Sequence, residues 1–291
     1  MIKGSIVELI TPTQPGVSPS YTDLERLVEW HIDQGTSALL IGSTLDSTVI
    51  LDGEECYELF RRTVWQADGR IAVIADISAS TTKESLAGLR IANDAVVDAV
   101  LLTIPVEDIR GHDAILTHFQ TVARAARIPV YLREHPERSD LLPYGVIKQL
   151  AKISGIHGLI ERGLNPEAPQ ALLEMEWPQG FGLYAGADRG AHRLMLKGFR
   201  GVVSTLANVA PSHVQALCTA CRNGDEGQVE ALQAVLKPIL DALESHPLDI
   251  TVRWALTEMG LIDEGARPLE LPQSSDYAAL RRALRGAQLV A

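Results

Sequence analysis

Eight times along this chain a short apolar run is followed by a segment with apolar residues at three-four spacing, and that alternation limits the fold more than any other feature. The runs are Ser5–Ile10, Ser37–Ile41, Ile71–Ala75, Ala99–Ile104, Pro129–Leu132, Ile156–Ile160, Gly182–Ala185 and Val202–Ser204. They read as strands buried on both faces, the pattern of a parallel sheet. The helix-period segments between them are Thr22–Gln34, Gly53–Gln66, Thr81–Ala95, Ala114–Ala126, Leu142–Ser154, Ala168–Glu174, Gly190–Lys197 and Ser212–Cys221. Thr82-Lys83-Glu84 supplies a capped helix start. Eight such pairs at steady pitch predict an α/β chain closed into a (β/α)8 TIM barrel. Glu226–Glu244, Leu248–Met259 and Asp276–Gly286 add helices that a barrel does not need. The expected division is a barrel over 1–222 and a C-terminal helical extension over 223–291.

At 291 residues the chain can bury a large core. Lys plus Arg number 26 against 37 Asp plus Glu, a formal net charge of −11. A surface of that sign repels nucleic acid and anionic membranes, so neither is expected as a partner. It leaves room for a small anion in a locally basic pocket. Met1-Ile2-Lys3-Gly4 runs straight into a strand without a secretory pattern, and the apolar run Ala99–Val106 is too short to span a bilayer. The three cysteines, Cys56, Cys218 and Cys221, suit a reducing cytoplasmic setting rather than a disulfide framework.

Six segments carry a resemblance across the whole length. Gly4-Ser5-Ile6-Val7 with Thr11-Pro12, Ile41-Gly42-Ser43-Thr44-Leu45-Asp46-Ser47 and Pro136-Glu137-Arg138-Ser139 are three. Gly186-Ala187-Asp188, Val202-Val203-Ser204 with Ala207-Asn208-Val209, and Arg253-Trp254-Ala255 with Met259-Gly260-Leu261 are the others. On these the chain resembles the dihydrodipicolinate synthase and N-acetylneuraminate lyase family. The resemblance implies a class I aldol-type lyase: a strand-six lysine forms a Schiff base with a 2-oxo acid, two tyrosines relay protons, and the assembly is a homodimer or homotetramer. It implies no cofactor. Mapped onto this sequence, the lysine position is Ile160, the strand-five tyrosine is Arg133 and the second tyrosine is Glu107. Leu45 stands for a glycine, and Asp46 for a glutamate. Ser43, Thr44 and Arg138 keep an anion-binding character, and Asp46, Arg133, Gly186 and Val203 complete the implied ligand shell.

The six lysines, Lys3, Lys83, Lys148, Lys152, Lys197 and Lys237, all fall on predicted helices, helix ends or the N-terminal tip. A Schiff-base amine must be partly desolvated and aimed into the pocket. The sequence therefore reads as a non-catalytic homologue that binds a small carboxylate, a 2-oxo acid or a partner; the alternative is a lyase using lysine-independent, metal-assisted chemistry. Glu8 lies mid-strand between Val7 and Leu9. With Asp46, Asp76, Glu107, Arg133, His135 and Arg138 it predicts a charged cluster at the barrel mouth. In one reading this is a rebuilt site, with Arg133 clamping a carboxylate and Glu8, Glu107 or His135 as acid or base. In the other, Glu8 and Arg133 neutralise each other and fill the space left by lysine and tyrosine, because an unpaired buried charge costs on the order of 3–5 kcal/mol. Glu8, Asp46, Asp76 and His135 could also offer ligands to Mg²⁺, though no spacing motif supports a metal and none is expected. Cys218-Thr-Ala-Cys221 lies inside a helical pattern, and His31, His118 and His213 read as surface or packing residues.

Overall fold

Eight parallel strands close into one barrel in chain order: β1 (Gly4–Glu8), β2 (Ala38–Ile41), β3 (Ala72–Asp76), β4 (Ala99–Thr103), β5 (Val130–Arg133), β6 (Ile156–Glu161), β7 (Gly182–Ala185) and β8 (Gly201–Ser204). The structure, a computed structural model, describes residues 2–13, 18–43, 51–103, 111–134, 143–162, 168–263 and 274–290. Helices α1 (Tyr21–Asp33), α2 (Gly53–Ala67), α3 (Thr82–Asp94), α4 (His112–Ala125), α5 (Tyr144–Leu150), α6 (Ala168–Leu173), α7 (Ala191–Leu196) and α8 (Pro211–Asn223) alternate with them. The expected TIM barrel is the fold, and α9 (Glu226–Leu243), α10 (Leu248–Glu258) and α11 (Ser274–Gly286) are its C-terminal helices.

Closure happens where β8 returns to β1, with Gly4 opposite Gly201. A Cβ on Gly201 would stand 2.1 Å from the Gly4 carbonyl oxygen, and Gly4 itself sits at φ +110°. Only glycine permits both the approach and that dihedral.

Side chains alternate along each strand. One set packs outward against the helices. The other fills the barrel with Ile6, Leu40, Ile74, Leu101, Tyr131, Ile160, Tyr184 and Val203. Two positions further along, at the loop-side end, the inward residues are Glu8 on β1, Asp76 on β3, Thr103 on β4 and Arg133 on β5. A charged layer therefore caps an apolar one.

Element limits depart from the sequence reading where side chains intervene. The first strand ends at Glu8 rather than Ile10, because the Ile10 N–H donates to Asn208 Oδ1 at 3.2 Å instead of extending the ladder. The third helix is capped by Thr81, not Thr82: its hydroxyl accepts from Glu84 N, and the Glu84 carboxylate accepts from Thr81 N. The fifth helix is only Tyr144–Leu150, starting after Pro143 and closing in turns over residues 151–155.

The C-terminal helices are tied to the barrel. Arg253 on α10 is buried and donates to Thr11 O at 2.8 Å beyond β1, and Trp254 stacks on Tyr277 of α11 with ring centroids 4.2 Å apart. Cys218 and Cys221 are free, buried thiols within α8, and burial pushes them up to about 12 and about 11. They pack and do not react. Among the described residues no helix is long and apolar enough to cross a membrane.

Two buried histidines give the fold an acid limit. His31 on α1 has Nδ1 3.0 Å from Thr36 Oγ1, and His118 on α4 has Nδ1 2.8 Å from Thr82 Oγ1. Burial pushes them down to about 3 and about 4. In the unfolded chain both titrate near 6.5. Above that pH neither state binds the proton; below it the unfolded chain does and the fold does not. Stability is therefore lost as pH falls from 6.5 toward those folded values, at most about 1.4 kcal/mol per histidine per pH unit. Urea midpoints at pH 7.5 and 5.0 should show this fall, and His118→Gln should reduce it; an unchanged pH dependence in the variant would exclude His118 as a source.

Candidate active site at the barrel mouth

Arg133 is 3% exposed, and each of its three guanidinium nitrogens donates to a side chain of another strand. Nη1 donates to Glu8 Oε1 at 2.8 Å, Nη2 to Asp76 Oδ2 at 2.6 Å, and Nε to Thr103 Oγ1 at 3.2 Å. The fold brings these residues together because each is the last inward position of its strand. Burial opposes the guanidinium charge, but Asp76 and Glu8 outweigh it and hold the Arg133 pKa above its ordinary value. Such an arrangement satisfies the rule that buried charges must be paired. One guanidinium against two carboxylates leaves the trio with one negative charge over.

Ser43 follows β2 and points its hydroxyl at Glu8 Oε1. Among the described residues both hydrogen bonds to the Glu8 carboxylate fall on Oε1. Ile160 is 3% exposed, lies between Arg133 and Tyr184 in register, and is part of the apolar barrel filling.

A cavity of about 310 Å³ opens beside this layer, lined by Glu8, Val203, Gly186, Asp188, Arg162 and residues of α9 and α10. A Cβ on Gly186 would stand 2.8 Å from Glu161 O and 2.9 Å from Ile160 Cγ2, so the β7 exit can cross the β6 exit only as glycine. The Gly186 N–H donates to Glu161 O at 2.6 Å. Asp188 accepts from Ser204 Oγ, from Thr205 N at 3.0 Å and from Leu206 N at 2.9 Å, fixing the turn Leu206–Asn208 after β8. Burial pushes the Asp188 carboxyl up to about 6, with those three donors opposing the shift. Asn208 then donates to Glu8 O at 2.8 Å and accepts from Ile10 N, which sets the end of β1.

Arg162 is half-buried at the β6 exit, and its N–H donates to Glu134 Oε2 at 3.2 Å. Burial and then the Arg133 charge lower its pKa; Glu8 and Glu134 pull the other way. Burial raises the pKa of Glu134, with the Arg162 N–H opposing.

A second cavity of about 660 Å³ lies outside the barrel between α7, α8 and α9. It holds none of the charged layer.

The model of the dihydrodipicolinate synthetase family matches residues 1–286. The chain belongs to that family. Curated relatives named 4-hydroxy-tetrahydrodipicolinate synthase include those of Methylococcus capsulatus, 40% identical over 292 residues with 99% of each chain covered, and Nitrosococcus oceani, 38% identical over 293 residues with 100% of each covered. Among solved structures, the chloride-inhibited dihydrodipicolinate synthase of Acinetobacter baumannii complexed with pyruvate superposes with a TM-score of 0.89 at 31% identity, covering 100% of both chains. The Aquifex aeolicus dihydrodipicolinate synthase gives 0.90 at 27% identity, covering 99% of this chain and 98% of that one.

Of the family positions considered from sequence, Glu8, Ser43, Asp76, Arg133, Ile160, Gly186 and Val203 are described, and all lie in or next to the charged layer or its cavity. Thr44, Leu45, Asp46, Glu107, His135 and Arg138 lie outside the described residues. Glu8 and Arg133 meet directly, as expected if burial forces them to pair. The geometry also changes two expectations: Arg133 donates to Glu8, Asp76 and Thr103 rather than standing ready as a ligand clamp, and the Ser43 hydroxyl faces a carboxylate. Sequence reading missed Thr103, the cavity position of Arg162 and the anchoring role of Asn208; period-2 counting from Leu101 would have found Thr103. Among the described residues no group of three or more His, Cys, Asp or Glu is placed to hold a metal ion.

Removing the guanidinium should expose how much it compensates. Arg133→Met leaves Glu8 and Asp76 facing each other and should cost about 3–5 kcal/mol. The triple variant Arg133→Met, Glu8→Gln, Asp76→Asn should recover most of that in denaturant titrations. A triple variant no more stable than the single one would show that charge pairing is not what holds the layer.

Proposed function

We infer that this member of the dihydrodipicolinate synthetase family binds a small carboxylate at the barrel mouth without forming a Schiff base. The observation that supports this is the placement of the lysines. All six, Lys3, Lys83, Lys148, Lys152, Lys197 and Lys237, are exposed, and none lies on a strand. A nucleophilic amine needs a desolvated pocket to be neutral near pH 7 and to meet a bound carbonyl. The family resemblance puts that amine on the sixth strand, where this chain has the buried hydrocarbon Ile160.

What the mouth retains is a cationic anchor. Arg162 lines the cavity with Gly186 and Val203, and a guanidinium can donate to a carboxylate in a bidentate geometry. Arg133 belongs to the floor beneath. The ligand is then held by charge-assisted hydrogen bonds of about 1.5–3 kcal/mol each, offset by ordering costs, which gives millimolar to high-micromolar affinity. Arg138 and Thr44 are further anchors in this reading. In this reading the protein assembles, as the family resemblance implies, into a homodimer or homotetramer.

A second reading comes from relatives at 36–40% identity that carry the name 4-hydroxy-tetrahydrodipicolinate synthase. It requires turnover of pyruvate, and one experiment separates the two. Borohydride reduction in the presence of pyruvate should leave the protein mass unchanged, and incubation with pyruvate and aspartate semialdehyde should give no product above background. A mass increase mapped to any lysine would restore the synthase reading. In calorimetry, small carboxylates should bind, and Arg162→Ala should weaken them about tenfold.

A further inference from the structure

Resting on the small-carboxylate reading above, we propose that the ligand of the barrel-mouth cavity is amphoteric: a small aliphatic α-amino acid, its carboxylate on Arg162 and its ammonium toward Glu8. The cavity lining carries the charges that decide between ligand classes. Arg162 is its one cation among the described residues, set against the carboxylates of Glu8, Asp188 and Glu244. Glu244 is bound by Arg189, and Asp188 by Ser204 and two backbone N–H groups. Glu8 differs from both. It belongs to a trio that already holds one negative charge more than Arg133 can neutralise, and it is 8% exposed at the wall of the cavity.

A 2-oxo acid brings only negative charge to such a space. Its carboxylate gains Arg162, but its carbonyl oxygen, also a hydrogen-bond acceptor, does nothing to offset Glu8. A simple amine has the opposite defect, since it satisfies Glu8 and leaves the half-buried Arg162 guanidinium without an anion from the ligand. An α-amino acid answers both at once and adds no net charge. Its three ammonium N–H donors match an acceptor-only carboxylate. The volume, about 310 Å³, is at the small end of ligand cavities. Val203, Leu240, Leu243 and Leu248 form an apolar wall that suits a short hydrocarbon side chain.

The ammonium also takes the place of something the protein does not supply. In lysine-dependent aldol chemistry the cation at this floor is the enzyme's own nitrogen; here the lysines are exposed and the floor is left with a carboxylate in excess. Among the described residues only Arg162 adds a cation near Glu8, and a ligand whose carboxylate engages Arg162 brings an ammonium to Glu8 in its place.

Calorimetry on the intact protein with matched probes tests this: alanine against pyruvate, valine against 3-methyl-2-oxobutanoate, and ethylamine as the carboxylate-free control. The amino acids should bind at least tenfold tighter than their oxo analogues, with valine at least as tight as alanine and ethylamine undetected. Glu8→Gln should erase the preference for the ammonium while leaving weak carboxylate binding, and Arg162→Ala should weaken both classes. Oxo acids that bind as tightly as the amino acids overturn the proposal and leave the carboxylate reading standing. Ethylamine binding as tightly as alanine overturns it from the other side. If neither carboxylate class binds the wild-type protein, both readings fall, and that comparison does not depend on any variant folding.

Discussion

A guanidinium held between two carboxylates inside a barrel is a demanding arrangement, and the mouth of this structure is organised by it. Arg133 of β5 reaches Glu8 on β1 and Asp76 on β3, strands that are not its neighbours. Taking these ions out of water costs several kcal/mol each, and their attraction offsets that only if geometry is good and remaining donors are satisfied. Here Thr103 and Ser43 each add a hydrogen bond, and Ser78 N donates to Asp76 Oδ1. Apolar residues of similar volume often serve stability as well or better, and the layer just below is filled that way with Ile6, Ile74 and Leu101. The charged layer therefore marks where the barrel gives up packing for polarity, and it does so at the end where barrels of this kind carry their chemistry.

That layer depends in turn on backbone anchoring from the opposite side of the barrel. Asp188 fixes the turn after β8 through Ser204, Thr205 and Leu206; the turn places Asn208; and Asn208 ends β1 at Glu8. Gly186 permits the β7 exit to cross the β6 exit so closely that Arg162 and Asp188 share one cavity. Each link is a polar contact between strand ends and the loops that leave them, which is why the geometry of the mouth is set by exit residues as well as by the strands. The C-terminal helices close the outer side, with Arg253 holding the β1 exit from α10.

Much of this was legible in the sequence. Strand and helix alternation gave the closed barrel, and the isolated Glu8 in an apolar run gave the charge inside it, since a buried acid in a strand interior demands a partner. The family resemblance, which maps the strand-five tyrosine position onto Arg133, then offered that partner. Asp76 was visible as a member of the charged cluster but not as a second acceptor for the same guanidinium, because that depends on which strands face each other across the barrel. Thr103 escaped notice since a hydroxyl at a strand end has many uses. Arg162 carries no local signal of a site, because its cavity is completed by α9 and α10, whose docking no local pattern encodes. The helix after strand five was overextended for the opposite reason: its apolar spacing continues past Leu150, while the backbone turns to reach Gly155 at φ +95°.

The absence of a pocket lysine and the presence of Glu8 are one electrostatic fact rather than two. An amine that is to attack a carbonyl must be neutral, so its surroundings must disfavour the ammonium, by burial or by a neighbouring cation. A carboxylate at the wall does the reverse and keeps any amine beside it protonated. Glu8 is held in place by Arg133, Ser43 and Asn208, and the trio it belongs to stays one charge negative. A lysine at position 160 would be buried and in register beside the Arg133 guanidinium, so its charge would be set by the balance between that cation and the two carboxylates Arg133 holds. In the reading proposed above, the floor of this barrel takes its cation from an amine-bearing ligand instead of from an imine.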